Sequence, residues 1–477
     1  MKPFVLITVL DGMRRDQIRP DTMPVLHRFL AEGCDFVESS CVFPSATRVN
    51  AAALSTGAWP GRNGIVSNKF HDRRTEGGRL VHTGLLEDIL AAEAAHDGGF
   101  ITSATLGDAM AAAGLRFAVV SSGSAGTTHM TSPRASKHGQ VSICLSDWRA
   151  CTPEGYAAEL LDRFGPIQPV DMPNAARMVQ QTDMFLDGVY PDIQPDAAVL
   201  WYNDPDLTFH YKGIGSAEAL AALAALDQQF ARLLAWAHSP APGRPVDIIV
   251  LSDHGHITAR DSVEAKAALG PLLTDGLNGT IGYVGGIHAE PGAEQALQAF
   301  AEKLVELPWC GLVFSRARDG HHGIIPGSFA REMLFNDHER SPDLFFSLRT
   351  ADSANAAGVT GGCFFEGDVP EGGSTHGGLM RQEMNSLLAM AGPSFRPAKR
   401  FGHGAGIVDI APTVLSLLGI SAPASMQGRI LREAFVAGTE PGRVDRETFR
   451  IDTARGEARL DRLIVDGWTY LHSAGIA

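Results

Sequence analysis

Two acid–imidazole pairs stand out in this sequence. Asp206 and His210 are separated by three residues, and Asp253 and His254 are adjacent. The first spacing lets one helical turn present a carboxylate oxygen and an imidazole nitrogen together. The second pair ends the apolar run Asp247-Ile-Ile-Val-Leu-Ser252, where strand alternation has lapsed and both side chains can turn the same way. Asp11 ends a further run that begins at Phe4, and His376 lies in Ser-Thr-His-Gly-Gly, where backbone can approach a ligand closely. Oxygen and nitrogen donors without cysteine suit Zn²⁺, with Mn²⁺ the other candidate.

The remaining chemical element is Phe43-Pro-Ser-Ala-Thr-Arg-Val-Asn-Ala-Ala-Ala-Leu-Ser-Thr-Gly57. A proline-bearing loop leads into an Ala-rich helix with Thr47 near its first turn. Unpaired N–H groups and the helix dipole there favour an anion. A threonine hydroxyl becomes an effective nucleophile once a metal lowers its pKa. Taken singly, each feature has a plainer reading. Thr47 can serve as a helix cap, and acidic residues at strand ends occur wherever the chain reaches solvent.

The elements that must position these residues alternate between short β-branched runs and longer helical patterns. Strands are predicted at 4–10, 116–121, 197–202 and 247–252, and helices at 22–32, 84–95, 104–113, 156–164, 173–188, 216–238 and 293–306. A further helix over 409–419 closes at Gly419. This pattern predicts an α/β fold with a doubly wound, mostly parallel sheet flanked by helices. Ligands of such sheets bind at the carboxyl ends of the strands, which brings Asp11, Asp204, Asp206 and Asp253 to one edge. The stretch 257–375 is richer in scattered Gly, His and Asp, and reads as an inserted cap between core segments 1–256 and 376–477.

Composition bounds the partners. The chain has 477 residues, 44% of them apolar and 20% charged, ordinary for a globular enzyme. A net charge of −14 supplies no basic footprint for a nucleic-acid polymer. No apolar run is long enough to span a bilayer, so no membrane partner is expected. The run after Lys2 is broken by Asp11 and Arg14-Arg15-Asp16 without a cleavage site, which favours a buried strand and a cytoplasmic location. Six scattered cysteines without a CxxC read as reduced core thiols, Cys144 with Cys151 being the one pairing weighed. A homo-oligomer is compatible with all of this.

Taken together, Asp11-Gly12, Pro44-Ser-Ala-Thr47-Arg-Val-Asn50, Thr56-Gly-Ala-Trp-Pro60 through Gly64-Ile65, Asp206 to His210, Ser252-Asp-His-Gly255 and Thr375-His-Gly377 resemble the alkaline phosphatase superfamily. Within it they resemble the nucleotide pyrophosphatase/phosphodiesterase branch, in the family's order and from residue 4 to about 430. The resemblance implies an alkaline phosphatase-like fold with an inserted cap and two zinc ions per chain. Asp206, His210 and His376 would hold one ion; Asp11, Asp253, His254 and the Thr47 oxygen would hold the other. It implies phosphoester hydrolysis through a phosphothreonine on Thr47, with ping-pong kinetics. Asn50 would hold a phosphoryl oxygen. Two further candidates for contact with a small-molecule substrate are Arg48, where the diesterase pattern usually places an apolar residue, and Phe70, near the end of the Thr47 helix.

Rivals of the same fold differ in substrate. A phosphonate hydrolase resembling phosphonoacetate hydrolase shares the Pro-Ser-x-Thr-x-x-Asn arrangement, and a phosphomonoesterase would find extra positive charge in Arg48. A sulfatase would need Cys or Ser in Cys-x-Pro-x-Arg, and Cys41 has its proline one place late, at Pro44. A degenerate metal-binding module is the non-enzymatic alternative. His256, His321, His322, His338 and His403 read as surface or cap histidines, with His338 weighed for the substrate pocket.

Overall fold

The computed structural model describes residues 2–75, 78–274 and 276–476. Phe4–Leu10 buries all seven side chains, and they divide between two cores. Val5, Ile7 and Val9 point into one, and Phe4, Leu6 and Leu10 into the other. A strand with both faces covered has no use for polar alternation, which is why these segments read as continuous apolar runs.

Eight strands form the main sheet in the order Lys399–Gly406, Cys34–Ser40, Leu388–Ala391, Val246–Leu251, Phe4–Leu10, Ala197–Tyr202, Phe117–Ser121 and Val141–Cys144. All neighbours are parallel except around Leu388–Ala391, which is antiparallel to both Val246–Leu251 and Cys34–Ser40. The sheet is therefore mostly parallel and doubly wound, as predicted. One face is covered by Pro24–Glu32, Glu154–Phe164, Ala175–Asp183 and Ala217–Ala237, the other by Thr47–Thr56, Leu106–Ala112 and Ile410–Leu417. Local chemistry starts these helices where expected. Ser216 accepts from Ala219 N–H at 3.0 Å to open the longest one. Asp227, reaching from that helix, accepts from Val25 and Leu26 N–H and so caps Pro24–Glu32 across the interface.

The helix predicted over 173–188 continues instead to residue 193, through a widened π-type turn at Met184–Val189. Gly188 lies in that turn against the neighbouring helix, where a Cβ would come within 2.9 Å of Leu160. Period-3.6 patterning does not foresee such a turn, because the extra residue shifts the face without changing composition.

Residues 257–375 contribute a seven-stranded sheet running from Leu277–Thr280 to Ala317–Asp319, with its own apolar cluster around Ile287, Phe300 and Phe346. Both ends of the segment are stapled together: Ile257–Ser262 pairs antiparallel with Ser374–Thr375, placing Thr375 opposite Ile257. The sequence reading distinguishes no separate element in the last residues, yet 444–476 forms a three-stranded meander. Its Leu460 and Leu471 pack with Phe314, Phe329 and Phe345 of the seven-stranded sheet. All six cysteines are free, and Cys144 N–H donates to Cys151 Sγ rather than the two sulfurs bonding. Among the described residues, no helix is long and apolar enough to cross a membrane.

Candidate functional site

Three adjacent parallel strands, Val246–Leu251, Phe4–Leu10 and Ala197–Tyr202, end side by side, and the residues that follow them build the site. Asp11, Asp253 and His254 form one buried cluster, and Asp206, His210, His256 and His376 form a second, the candidate ligand atoms of each lying within 4.8 Å of one another. His376 joins because it precedes the one antiparallel strand, which enters the sheet from this same edge.

Thr47 arrives from the loop after Cys34–Ser40. Its Oγ1 lies 3.1 Å from His254 Nε2, and that nitrogen is 3.6 Å from Asp11 Oδ1 and 3.2 Å from Asp253 Oδ2. The extended residue before the helix is Ala46, and Thr47 is its first helical residue. The Thr47 hydroxyl therefore turns towards the acidic cluster and does not cap the helix.

Three histidines are held in the same tautomer. Nδ1 of His210 donates to Ser374 O at 2.8 Å, Nδ1 of His376 to Ser45 O at 2.7 Å, and Nδ1 of His254 to Gly255 O at 3.1 Å. A carbonyl only accepts, so each Nδ1 carries a proton and each Nε2 is turned to the cluster, the arrangement metal-binding imidazoles use. Burial, then Asp253 and Asp206, push Asp11 well above the usual carboxylate range, although Trp201 Nε1 donates to its Oδ2 at 2.9 Å. Burial likewise raises Asp253. At Asp206 burial acts in the same direction, but His210 and His256 outweigh it and hold the group well below the ordinary value. Asp11 Oδ1 and Asp253 Oδ2 are buried without a hydrogen-bond partner. Orphaned carboxyl oxygens facing imidazole Nε2 atoms fit a pair of divalent cations, since carboxylates ionised in so desolvated a site require a compensating charge.

Four assignments change. Asn50 is buried, with Oδ1 accepting from Val42 N–H at 2.9 Å and Nδ2 donating to Ala46 O at 3.1 Å and to Pro44 O at 3.4 Å. It braces the loop before Thr47 and has no donor left for a phosphoryl oxygen. Phe70 is 1% exposed and stacks on Phe100 in the core, so neither ring face is open to a substrate. Asp204 accepts from Asn174 N–H at 2.7 Å and from the Thr208 hydroxyl at 2.8 Å, which makes it an internal brace.

His256 is no surface residue. It is fully buried, with Nε2 at 2.8 Å from Asp206 Oδ1 and Nδ1 at 3.0 Å from Ser374 Oγ. The pairing of Ile257 with Thr375 carries it in, and sequence spacing gives no sign of that contact. Gly12, at φ +68°, makes room: a Cβ there would sit 2.5 Å from His256 Nε2. His256→Ala should weaken metal retention by roughly 10- to 100-fold, the scale for partners that orient a ligand. Metal analysis after dialysis against a chelator series checks this, and unchanged retention would return His256 to a packing role. His321, His322, His338 and His403 belong to neither cluster.

Asn68, also missed in sequence, accepts from Arg48 N–H at 3.2 Å and so lies against the first turn of the Thr47 helix. Its Nδ2 donates to no protein group among the described residues. Asn68, not Asn50, is placed to offer an amide donor beside Thr47. Glu383 completes the scaffold by accepting from Gly378 N–H at 2.7 Å and Tyr283 OH at 2.9 Å, fixing the loop that carries His376.

Burial raises Glu383 to about 7 from the ordinary 4.5. A raised carboxyl stabilises the fold below pH 4.5 and loses that contribution as pH climbs through 7. Glu383→Gln removes the titration. The stability difference between variant and wild type should therefore shift towards the variant by about 3 kcal/mol between pH 4 and pH 8, the equivalent of roughly 2.5 pK units. Urea unfolding of both proteins at the two pH values measures it, and a constant difference refutes it.

With this geometry established, comparison with known proteins gives the fold and then the family. Murine ectonucleotide pyrophosphatase/phosphodiesterase 5 superposes with TM-score 0.61 over 89% of this chain and 96% of its own, at 16% identity. A second structure of that mouse protein, an inactive threonine-to-alanine variant in complex with AMP, gives TM-score 0.61 over 88% and 96%, again at 16% identity. Bis(5'-adenosyl)-triphosphatase enpp4 of Xenopus laevis is 34% identical over 74 residues, which spans 16% of either chain. The family model described as type I phosphodiesterase / nucleotide pyrophosphatase matches residues 5–307, well over half of the sequence, and the chain belongs to that family.

Proposed function

We propose that the protein is a metal-dependent phosphoester hydrolase of the phosphodiesterase/nucleotide pyrophosphatase type that works through a phosphothreonine on Thr47. The observation that carries this reading is the position of Thr47 Oγ1, 3.1 Å from His254 Nε2 and beside the Asp11–Asp253 cluster. Asp206, His210 and His376 would hold one zinc ion, with His256 orienting Asp206; Asp11, Asp253, His254 and the Thr47 oxygen would hold the other. When bound, the ions supply positive charge to the attacking, leaving and non-bridging oxygens of phosphorus. Manganese is the alternative ion.

Thr47 Oγ1 attacks phosphorus in line as the bond to the leaving group breaks. Water later cleaves the Oγ1–P bond and regenerates the hydroxyl, so product release is ping-pong. Asn68 Nδ2 and the Thr47 N–H at the start of its helix donate to phosphoryl oxygens, whose charge is spread in a loose transition state. Residues 257–375 act as the cap that shapes the pocket, and the protein works in the cytoplasm on small molecules.

Metal-analysed protein tested on bis-p-nitrophenyl phosphate, a p-nitrophenyl nucleoside monophosphate, p-nitrophenyl phosphate, p-nitrophenyl sulfate and phosphonoacetate decides the reading. Turnover of a phosphoester supports it. Turnover of phosphonoacetate alone would favour a phosphonate hydrolase, and two bound metal equivalents without any turnover would leave a metal-binding module.

A further inference from the structure

The metal-ligand candidates lie beside Thr47, and their carboxylates Asp11, Asp206 and Asp253 act on the charge of Arg48 with no hydrogen bond or ion pair to it among the described residues. Arg48 follows the nucleophile directly, and its guanidinium lies within 3.8 Å of where a Cβ on Gly84 would stand. Its Nε is buried without a hydrogen-bond acceptor, and no carboxylate among the described residues pairs with the group. A desolvated guanidinium with all its donors uncommitted is costly unless something anionic visits it.

The hairpin 69–82 adds to this. Lys69 and His82 are directly opposed in the antiparallel pair, so their side chains share one face. His82 Nδ1 accepts from Gly84 N–H at 3.2 Å, which leaves its proton on Nε2 as a donor. Burial, then Lys69 and Arg48, hold His82 below its ordinary pKa, so the ring contributes a neutral N–H and not a further charge. Asn68 precedes Lys69 and is itself fixed to the backbone of Arg48. Arg48 and His82 therefore meet around Gly84, Asn68 lies against the first turn of the Thr47 helix, and Lys69 shares the hairpin face of His82, none of their side-chain N–H groups meeting an acceptor among the described residues.

The substituent that a diester carries besides its leaving group would need a neutral or apolar wall here. Phe70, the aromatic nearest in sequence, is turned into the core instead. We propose that Arg48, assisted by Asn68, Lys69 and His82, forms an anion subsite that accepts the additional charged oxygen of a phosphomonoester, giving the enzyme a phosphomonoesterase activity. Thr47 Oγ1 would form its bond to the phosphoryl group as the P–O bond to the leaving alcohol breaks. Water would then release inorganic phosphate and restore the threonine. Arginine suits this task because its planar fork matches two phosphoryl oxygens at once.

The inference rests on the reading that Thr47 attacks phosphorus, and its test separates the two. In fully metal-loaded wild type and Arg48→Ala, kcat/KM is measured for p-nitrophenyl phosphate and for bis-p-nitrophenyl phosphate, together with the inhibition constant of inorganic phosphate. The monoester-to-diester ratio should fall by about 10- to 100-fold in Arg48→Ala, and the phosphate inhibition constant should rise by a similar factor. Arg48→Lys should recover part of both. His82→Gln, which leaves Arg48 in place, should give a smaller change in the same direction. A ratio and inhibition constant unmoved by Arg48→Ala would overturn the subsite while leaving the hydrolase standing. Absence of turnover on both esters in metal-loaded wild type would overturn the hydrolase itself.

Discussion

Thr47→Ala should reduce phosphoester turnover by roughly 10⁴- to 10⁶-fold, the scale seen when an enzyme loses its nucleophile. The fold should survive the change. Alanine is the better helix former, and Thr47 is the first helical residue of Thr47–Thr56, with no capping hydrogen bond to lose. Most of the metal should stay as well, because Asp11, Asp253 and His254 remain in one cluster and Asp206, His210 and His376 in the other. The informative result is the combination: metal content near that of the wild type, an unchanged melting profile, and no product. A capping threonine would give the reverse pattern, a stability loss of about 1 kcal/mol with turnover retained. Mass spectrometry of protein quenched during turnover adds a direct reading, since wild type should carry a phosphoryl group on the peptide containing Thr47 and the variant none.

Much of this arrangement was legible in the sequence, for a specific reason. Parallel strands buried on both faces are written as unbroken apolar runs, so Phe4–Leu10, Ala197–Tyr202 and Val246–Leu251 announce their own ends, and Asp11, Asp206, Asp253 and His254 follow from them. What stayed hidden depends on pairings between distant segments. His256 is drawn in by the pairing of Ile257 with Thr375, more than a hundred residues away, and nothing local distinguishes it from a surface histidine. Asn50 reads as the phosphoryl donor because it follows the nucleophile closely, although its amide faces the loop backbone, while Asn68 lies too far along the chain for spacing to connect it with Thr47. Phe70 was misplaced because aromatic content says nothing about which way a hairpin side chain turns. The meander over 444–476 gives no local signal because its outer face is charged and its inner face is divided, Leu460 and Leu471 packing on the insertion and Tyr470 lying against Gly404 and Gly406 at the edge of the main sheet.

Removing the metal should abolish activity and also make the fold sensitive to pH in a predictable direction. A ligand bound to the native state alone stabilises it by about 4 kcal/mol at a thousandfold excess over its Kd, so chelation should lower the melting temperature before any question of catalysis arises. The pH dependence follows from the carboxylates left behind. Burial and neighbouring acids raise Asp11 well above its ordinary value, and burial raises Asp253. For a carboxyl raised on folding, the stabilisation is complete below the unfolded pKa and is lost as pH rises through the folded one. These two carboxyls therefore make the chelated protein less stable as pH climbs out of the ordinary carboxylate range, against the opposite contribution of His256 and His376, which burial holds below their ordinary values with or without the metal. In metal-loaded protein the same carboxylates face a cation, and protons compete with it, so this component reverses. The gap in melting temperature between the two forms should widen from pH 5 to pH 8, and restoring zinc should close it together with the lost activity. If calorimetry found the gap constant across that range, Asp11 and Asp253 could not be holding a cation between them, and the proposed two-metal chemistry would lose its basis.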